Sequence, residues 1–431
     1  MSGRHVSFAI AIALPWLTGP EAFGSLPPRN VFFFIGDGMG FGHVEAANRY
    51  NGGPLSFESL PYQGQVETAA ADFFITDSAA AATALATGHK VNLAVISMAI
   101  PGDASELETL LEYSRDRGKS TALVTTTAMT HATPACFGAH EPDRANKDEI
   151  AADYLNQTRP NLLFGGGGDG LTLSAAEDAG YTTVVDAAEL QALDPDSVSY
   201  VSGQFGTGHL PYEYDGLGLL PHLTDMTAMA LDILEEDPDG FFLMVEGGRI
   251  DHAAHDNDIR RTIHETLEFA DAVQLAMDWA VGRTDTLIIV TADHETGGLT
   301  VEAGDDPDGY PNVSWMWGEH TWYDVPIYAW GVNADMIAGT MDNTDLFDVV
   351  ASPLPCTCGD IDTNGAPVDL NDFATFALCL GLSGAAPPDC DEQAVVCSDL
   401  DGNGAVELGD FATFAVWFGM QSPQYPPDCI R

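Results

Sequence analysis

Short apolar runs recur through the first 350 residues, and most stop at glycine or an acidic residue. NVFFFIGDGMG, STALVTTT, NLLFGGGG, GFFLMVEGG, TLIIVTADHE and VPIYAWG share this shape. An unbroken apolar run bounded by turn residues predicts a strand buried on both faces. Between the runs, HLTDMTAMALDILEED and RRTIHETLEFADAVQLAMDWA space their apolar residues three and four apart, which predicts amphipathic helices packed on the sheet. Strands alternating with helices predict an α/β fold, a mostly parallel central sheet flanked by helices. In such sheets ligands gather beyond the carboxyl ends of the strands. Asp37, Glu246, Asp293 and His294 close these runs, so they are expected to converge.

The pattern changes near ASPLPCTCGD, which sets a domain boundary around residues 353–358. Beyond it, NDFATFALCLG recurs as GDFATFAVWFG, each copy after a Gly/Asp-rich loop. Asp399, Asp401, Asn403 and Asp410, with Gly404 at the sharp turn, have the ligand spacing of an EF-hand-like calcium loop. Asp360, Asp362, Asn364 and Asp372 form the other copy, one residue longer, which makes it the weaker site. A loop followed by a single helix, repeated twice, resembles a dockerin-type module. That resemblance implies one or two Ca²⁺ ions and a cohesin-like or cell-surface docking partner. The acidic tail would repel itself without metal, so calcium is expected to fold it.

Charge and composition narrow the function. The chain has 431 residues, 45% of them hydrophobic, enough for a large core and more than one domain. Its formal net charge of −50 argues against nucleic acid and anionic membranes as partners. It also means that an anionic substrate would need local positive charge. Arg4 and His5 precede an apolar run that ends in small residues before Ser25, the pattern of a signal peptide over residues 1–24. Residues 25–352 would then be the main domain and 353–431 the module, in a secreted, periplasmic or extracellular protein. No later segment is long and apolar enough to span a membrane. Cys136 stands alone and reads as a buried thiol, whereas six cysteines crowd the tail, a density that suggests disulfides in an exported protein.

Candidate chemistry clusters in five places. VEGGRIDHAAHDND offers Glu246, Asp251 and His255, and the last two, four apart, share one face of a helix. TADHETGG places Asp293 and His294 at a strand end, GEHTWYDVPIYAWG places His320 ahead of a strand, and IGDGMG supplies Asp37. These are hard and borderline ligands suited to Zn²⁺ and Mg²⁺. FITDSAAAATALATG puts Ser78 at the start of a helical pattern that Gly88 ends, a place for an N-cap or for a nucleophile favoured by the helix dipole.

With FIGDGMG, TDSAAAATALATG, HATPACFGAHEPDR, VEGGRIDHAAH, TADHETGG and EHTWYDVP in this order, the chain resembles the alkaline phosphatase family over about Asn30 to Val350. The resemblance implies a phosphomonoesterase acting through a phosphoserine on Ser78. It implies one zinc on Asp251, His255 and His320, a second on Asp37, Asp293 and His294, and a magnesium on Asp37, Thr133 and Glu246. Arg144 matches the phosphate-binding arginine. His131 and His252 match variable positions beside the magnesium and the phosphate. Small phosphate monoesters are the implied partners, and a homodimer is left open. The alternatives are a phosphodiesterase or sulfatase relative with the same metal site, or a non-catalytic calcium-dependent docking protein. LLFGGGGDG lacks the ending of a P-loop and reads as a strand-to-loop turn. YVSGQFGTGHLPYEYD reads either as a wall of the substrate entrance or as a plain loop. The short interval from His294 to His320 predicts an open site and broad substrate acceptance.

Overall fold

The computed structural model describes residues 28–351. The signal segment, the domain boundary, the tail cysteines and both calcium loops lie outside the described residues.

Twelve strands occur among the described residues: β1 Asn30–Ile35, β2 Tyr62–Glu67, β3 Ser120–Ala128, β4 Leu162–Gly167, β5 Thr182–Val184, β6 Val201–Thr207, β7 Phe241–Glu246, β8 Thr286–Thr291, β9 Thr300–Asp305, β10 Pro311–Ser314, β11 Val325–Gly331 and β12 Gly339–Asp342. Ten form one sheet in the order β12-β2-β11-β8-β1-β7-β3-β4-β6-β5, and β9 and β10 form a separate hairpin. All six apolar runs are strands of the large sheet. Both periodic stretches are helical, at Leu223–Leu234 and Ile259–Ala280.

The fold is an α/β architecture with a mostly parallel sheet flanked by helices. The central strand β1 is buried along its whole length, and from Val31 to Ile35 every side chain is apolar, as a strand covered on both faces requires. Phe32 meets Phe241 and Trp279 edge-on at 5.1 and 5.5 Å. Phe33 packs on Phe137 at 5.7 Å. Cys136 is a buried free thiol, as expected; it donates to the Ala79 carbonyl at 3.1 Å, and burial pushes its pKa far up.

In the large sheet β11 alone runs against its neighbours, antiparallel to both β8 and β2. The chain leaves β8, forms the β9–β10 hairpin, and returns beside β8, which needs no crossover helix. The start of β11 therefore lies at the sheet edge where the parallel strands end.

Candidate active site

β7 and β8 flank β1 in register, with Ile35 opposite both Glu246 and Thr291. The residues that follow are thus level at one edge. Asp37 lies two residues past β1, Glu246 ends β7, and Asp293 and His294 follow β8. The helix Arg249–His255 begins just after β7 and carries Asp251 and His255 one turn apart. His320 reaches the same edge because it precedes the antiparallel β11. Gly38 makes room in this corner. Its φ is 74°, and a Cβ there would meet Thr296 Oγ1 at 2.8 Å and Asp251 Cβ at 2.9 Å.

Ser78 opens the helix Ser78–Thr87, and Gly88 closes it in the left-handed region at φ 71°. The N-cap is Asp77, whose carboxylate accepts from Ala80 N at 3.1 Å. The capping role considered for Ser78 therefore belongs to its neighbour, because Asp77 takes the extended conformation that a cap requires. The serine hydroxyl instead lies 3.3 Å from His294 Nε2.

The expected ligands come together. His294 Nε2 is 3.3 Å from Asp293 Oδ2 and 3.5 Å from Asp37 Oδ1. His255 Nε2 is 3.2 Å from His320 Nε2 and 3.3 Å from Asp251 Oδ2. The His294 and His320 rings stack at 3.6 Å and link the two groups. Both outer imidazoles are oriented from behind. His255 Nδ1 faces the Gly318 carbonyl at 2.6 Å and His320 Nδ1 faces the Thr76 carbonyl at 2.8 Å. A carbonyl can only accept, so each Nδ1 donates, and that bond fixes the ring with its Nε2 aimed at the cluster.

The electrostatics are those of a site built for cations. Burial, then Asp293, Asp251 and Glu246, push the Asp37 carboxyl well above its usual range. Asp293 is pushed up to about 8, by burial and then by Asp251. Glu246 is also raised by burial. At Asp251 burial works the same way, but the His255 hydrogen bond and the imidazoles outweigh it and hold the carboxyl low. Both Asp37 oxygens, Asp293 Oδ2, Glu246 Oε1, Thr133 Oγ1 and His131 Nδ1 are buried without a hydrogen-bond partner. Uncompensated buried carboxylates cost several kcal/mol each, roughly, unless paired or bound to metal. Three overlapping groups place ligand atoms within 4.8 Å of one another: Asp251, His294 and His320; Asp37, Asp293 and His294; and Asp37, His131 and Glu246. The donor set therefore fits divalent ions. His131 joins Asp37 and Glu246 in the third group.

Arg144 sits at the rim. Its Nη1 donates to Asp77 Oδ2 at 3.0 Å and its Nη2 to His131 Nε2 at 3.2 Å. His252 is also near: Arg249 Nη1 donates to its Nδ1 at 2.8 Å, and its ring lies 5.5 Å from His131.

Several site residues had not been singled out from the sequence. Thr125 and Thr127 both donate to Glu246 Oε2, the latter at 3.2 Å. Thr296 donates to Asp251 Oδ1 and lies 3.3 Å from His294 Nδ1. The loop around His209 does reach the site: Ala128 N donates to His209 Nδ1 at 3.1 Å, and its ring is 4.5 Å from His252. Alternate threonines at the end of STALVTTT were the one visible sign of a polar strand end. LLFGGGGDG is strand β4 running into a loop, as read.

A hydroxyl at a helix start, facing a buried bed of carboxylates and imidazoles at the carboxyl edge of a parallel sheet, is the arrangement of a metal-assisted hydrolase. Residues 28–172 and 154–312 match the family model described as alkaline phosphatase; the chain belongs to that family and is an enzyme of that kind. Alkaline phosphatase 3 of Bacillus subtilis is 32% identical over 408 residues, covering 74% of this chain and 87% of that relative. Streptomycin-6-phosphate phosphatase of Streptomyces griseus is 33% identical over 419 residues, covering 78% and 93%. The cold-active alkaline phosphatase of Shewanella sp. superposes with a TM-score of 0.69 at 28% identity, covering 76% of this chain and 100% of that one.

Proposed function

We propose that this enzyme hydrolyses phosphate monoesters through a phosphoserine formed on Ser78, with two zinc ions and one magnesium in the buried cluster. The observation that carries this reading is the position of Ser78 Oγ, 3.3 Å from His294 Nε2 at the edge of buried carboxylates with oxygens that lack hydrogen-bond partners. Asp251, His255 and His320 would hold one zinc, Asp37, Asp293 and His294 the other, and Asp37, Thr133 and Glu246 the magnesium, with His131 beside it. Bound divalent ions supply Lewis acidity and lower the pKa of a coordinated hydroxyl by many units, which takes the place of a histidine base.

The remaining work belongs to the chain itself. The Arg144 guanidinium offers a fork to two nonbridging phosphoryl oxygens, and Asp77 holds that fork in place. Ser78 Oγ attacks phosphorus in line, the P–O bond to the alcohol breaks, and the alcohol leaves with a proton. Water then attacks from the vacated side, the P–Oγ bond breaks, and inorganic phosphate departs. The positive end of the helix Ser78–Thr87 favours the anion throughout.

The proposal includes export, carried by the N-terminal pattern, and a calcium-binding docking module, carried by the loop spacing at Asp399, Asp401, Asn403 and Asp410. Ser78→Ala tests the core of it. Acid-quenched enzyme incubated with labelled substrate should lose its phosphoprotein band, and kcat/KM should fall about 10³-fold or more. Unchanged phosphatase activity would refute the nucleophile.

A further inference from the structure

Beside the catalytic loops lies a run of exposed aromatic rings that the hydrolysis of the phosphoryl group does not use. Phe73, Phe74, Trp322 and Tyr323 are 48%, 60%, 50% and 43% exposed. They are continuous: the Phe73 and Phe74 rings are 4.8 Å apart, Phe74 and Trp322 6.4 Å, and Trp322 and Tyr323 5.5 Å. Burying such rings is favourable, so large exposed ones grouped together mark a surface that meets something. Their place in the fold suggests what. Phe74 is four residues before Ser78, and Trp322 is two residues after His320. The two loops are tied together by the bond from His320 Nδ1 to the Thr76 carbonyl. The ledge is thus fixed beside His320 and the start of the helix that carries Ser78.

The ledge borders a cleft of about 490 Å³, lined by Phe41, Trp322, Tyr323, Gln65, Asp324 and Glu295 among others. That volume suits a small organic group. No lysine, arginine or histidine lines it, and two carboxylates do. Asp324 is partly exposed, with Gln65 Nε2 donating to its Oδ2 at 2.7 Å. Glu295 is turned inward, accepting from Gly298 N at 3.1 Å and Leu299 N at 3.2 Å. Aromatic faces with a carboxylate and no competing cation are the chemistry that recognises an ammonium group. A polyanionic alcohol would be repelled by the same wall and by the net charge of −50.

We infer that the ledge of Phe74, Trp322 and Tyr323 and the adjoining cleft bind the alcohol portion of the substrate and select phosphate monoesters whose alcohol carries an ammonium or quaternary ammonium group. This rests on the monoesterase reading and extends it from the phosphoryl group to the leaving group. Arg144 and the metal cluster receive the phosphate, and the ledge receives the cation at its other end.

The test uses two esters of nearly equal shape, phosphocholine and its neutral isostere 3,3-dimethylbutyl phosphate. The quantity read is the ratio of their kcat/KM values, in which intrinsic leaving-group reactivity and any general damage cancel between variants. In Trp322→Ala the ratio should fall roughly tenfold from the wild-type value, and in Phe74→Ala and Asp324→Asn roughly threefold each, the range expected of partly desolvated cation–π and charge contacts. A ratio constant within about twofold across all four proteins overturns the inference. So does a sedimentation coefficient that drops in Trp322→Ala with the ratio unchanged, because the ledge then serves contact between copies. Wild-type enzyme that turns over neither ester, nor p-nitrophenyl phosphate, would overturn the monoesterase reading itself, a result distinct from an unselective phosphatase.

Discussion

At the scale of single residues, the site depends on hydroxyls that touch no substrate. Thr296 donates to Asp251 Oδ1 and faces His294 Nδ1, so one side chain orients members of both ligand groups proposed for zinc. Thr296→Val keeps the volume and removes the donor. Zinc affinity should fall about 10- to 100-fold, the usual effect of losing a partner behind a ligand. Activity should return at high zinc, which a collapsed fold would not allow. Competition with a zinc chelator measures this directly; unchanged affinity would contradict the role assigned to Thr296. The candidate ligands were legible in the sequence because Asp37, Glu246, Asp293 and His294 close apolar runs, Asp251 and His255 follow one of those runs a helical turn apart, and His320 precedes another. Thr296, Thr125 and Asp77 were not. Each hydroxyl or carboxylate acts on a group far along the chain: Thr296 and Asp251 are 45 residues apart, Thr125 and Glu246 121. Nothing local distinguishes such residues from any strand-end threonine or helix cap.

At the scale of elements, the sheet was readable because parallel strands buried on both faces cannot alternate. The β9–β10 hairpin was not, because β9 is nearly all exposed and carries no such run. The reversed direction of β11 was equally hidden, since a buried antiparallel strand has the same composition as a parallel one.

The long helix Ile259–Ala280 holds a further cost that only the folded chain reveals. Glu265 lies on its buried face and accepts from Glu213 N at 2.8 Å. Burial, opposed by that bond and by Arg249 and reinforced by Glu213 and Glu268, pushes its carboxyl up to about 8. Its folded pKa exceeds the unfolded value of roughly 4.3, so the native state binds the extra proton. The stability it contributes is therefore complete below about pH 4 and is lost as pH rises through about 8. Glu265→Gln keeps the acceptor for Glu213 N and removes the titration. Its melting temperature should exceed that of the wild type by a few degrees at pH 9, with the gap closing toward pH 5, at roughly 2–4 °C per kcal/mol. Thermal melts across that range check it; a gap of constant size at every pH would contradict the assignment.

At the scale of the whole molecule, 65 acidic residues face 15 lysines and arginines. Three divalent ions would offset only six of those charges. A dianionic ester therefore approaches against a repulsive field until it meets the local positive charge of the site. Salt screens that field, with a Debye length near 30 Å at about 0.01 M and 10 Å at about 0.1 M. Accordingly, kcat/KM for p-nitrophenyl phosphate should rise with ionic strength, roughly severalfold between those two concentrations. A flat or falling profile would show that global charge does not govern encounter.

The claim beneath all of this is that the buried carboxylates and imidazoles at the carboxyl edge of the sheet are metal ligands. Anomalous diffraction at the zinc edge, from crystals of the full chain grown with zinc and magnesium, tests it most directly. The expected result is two zinc peaks, one against Asp37, Asp293 and His294 and one against Asp251, His255 and His320. Maps with no anomalous density at these side chains would contradict it.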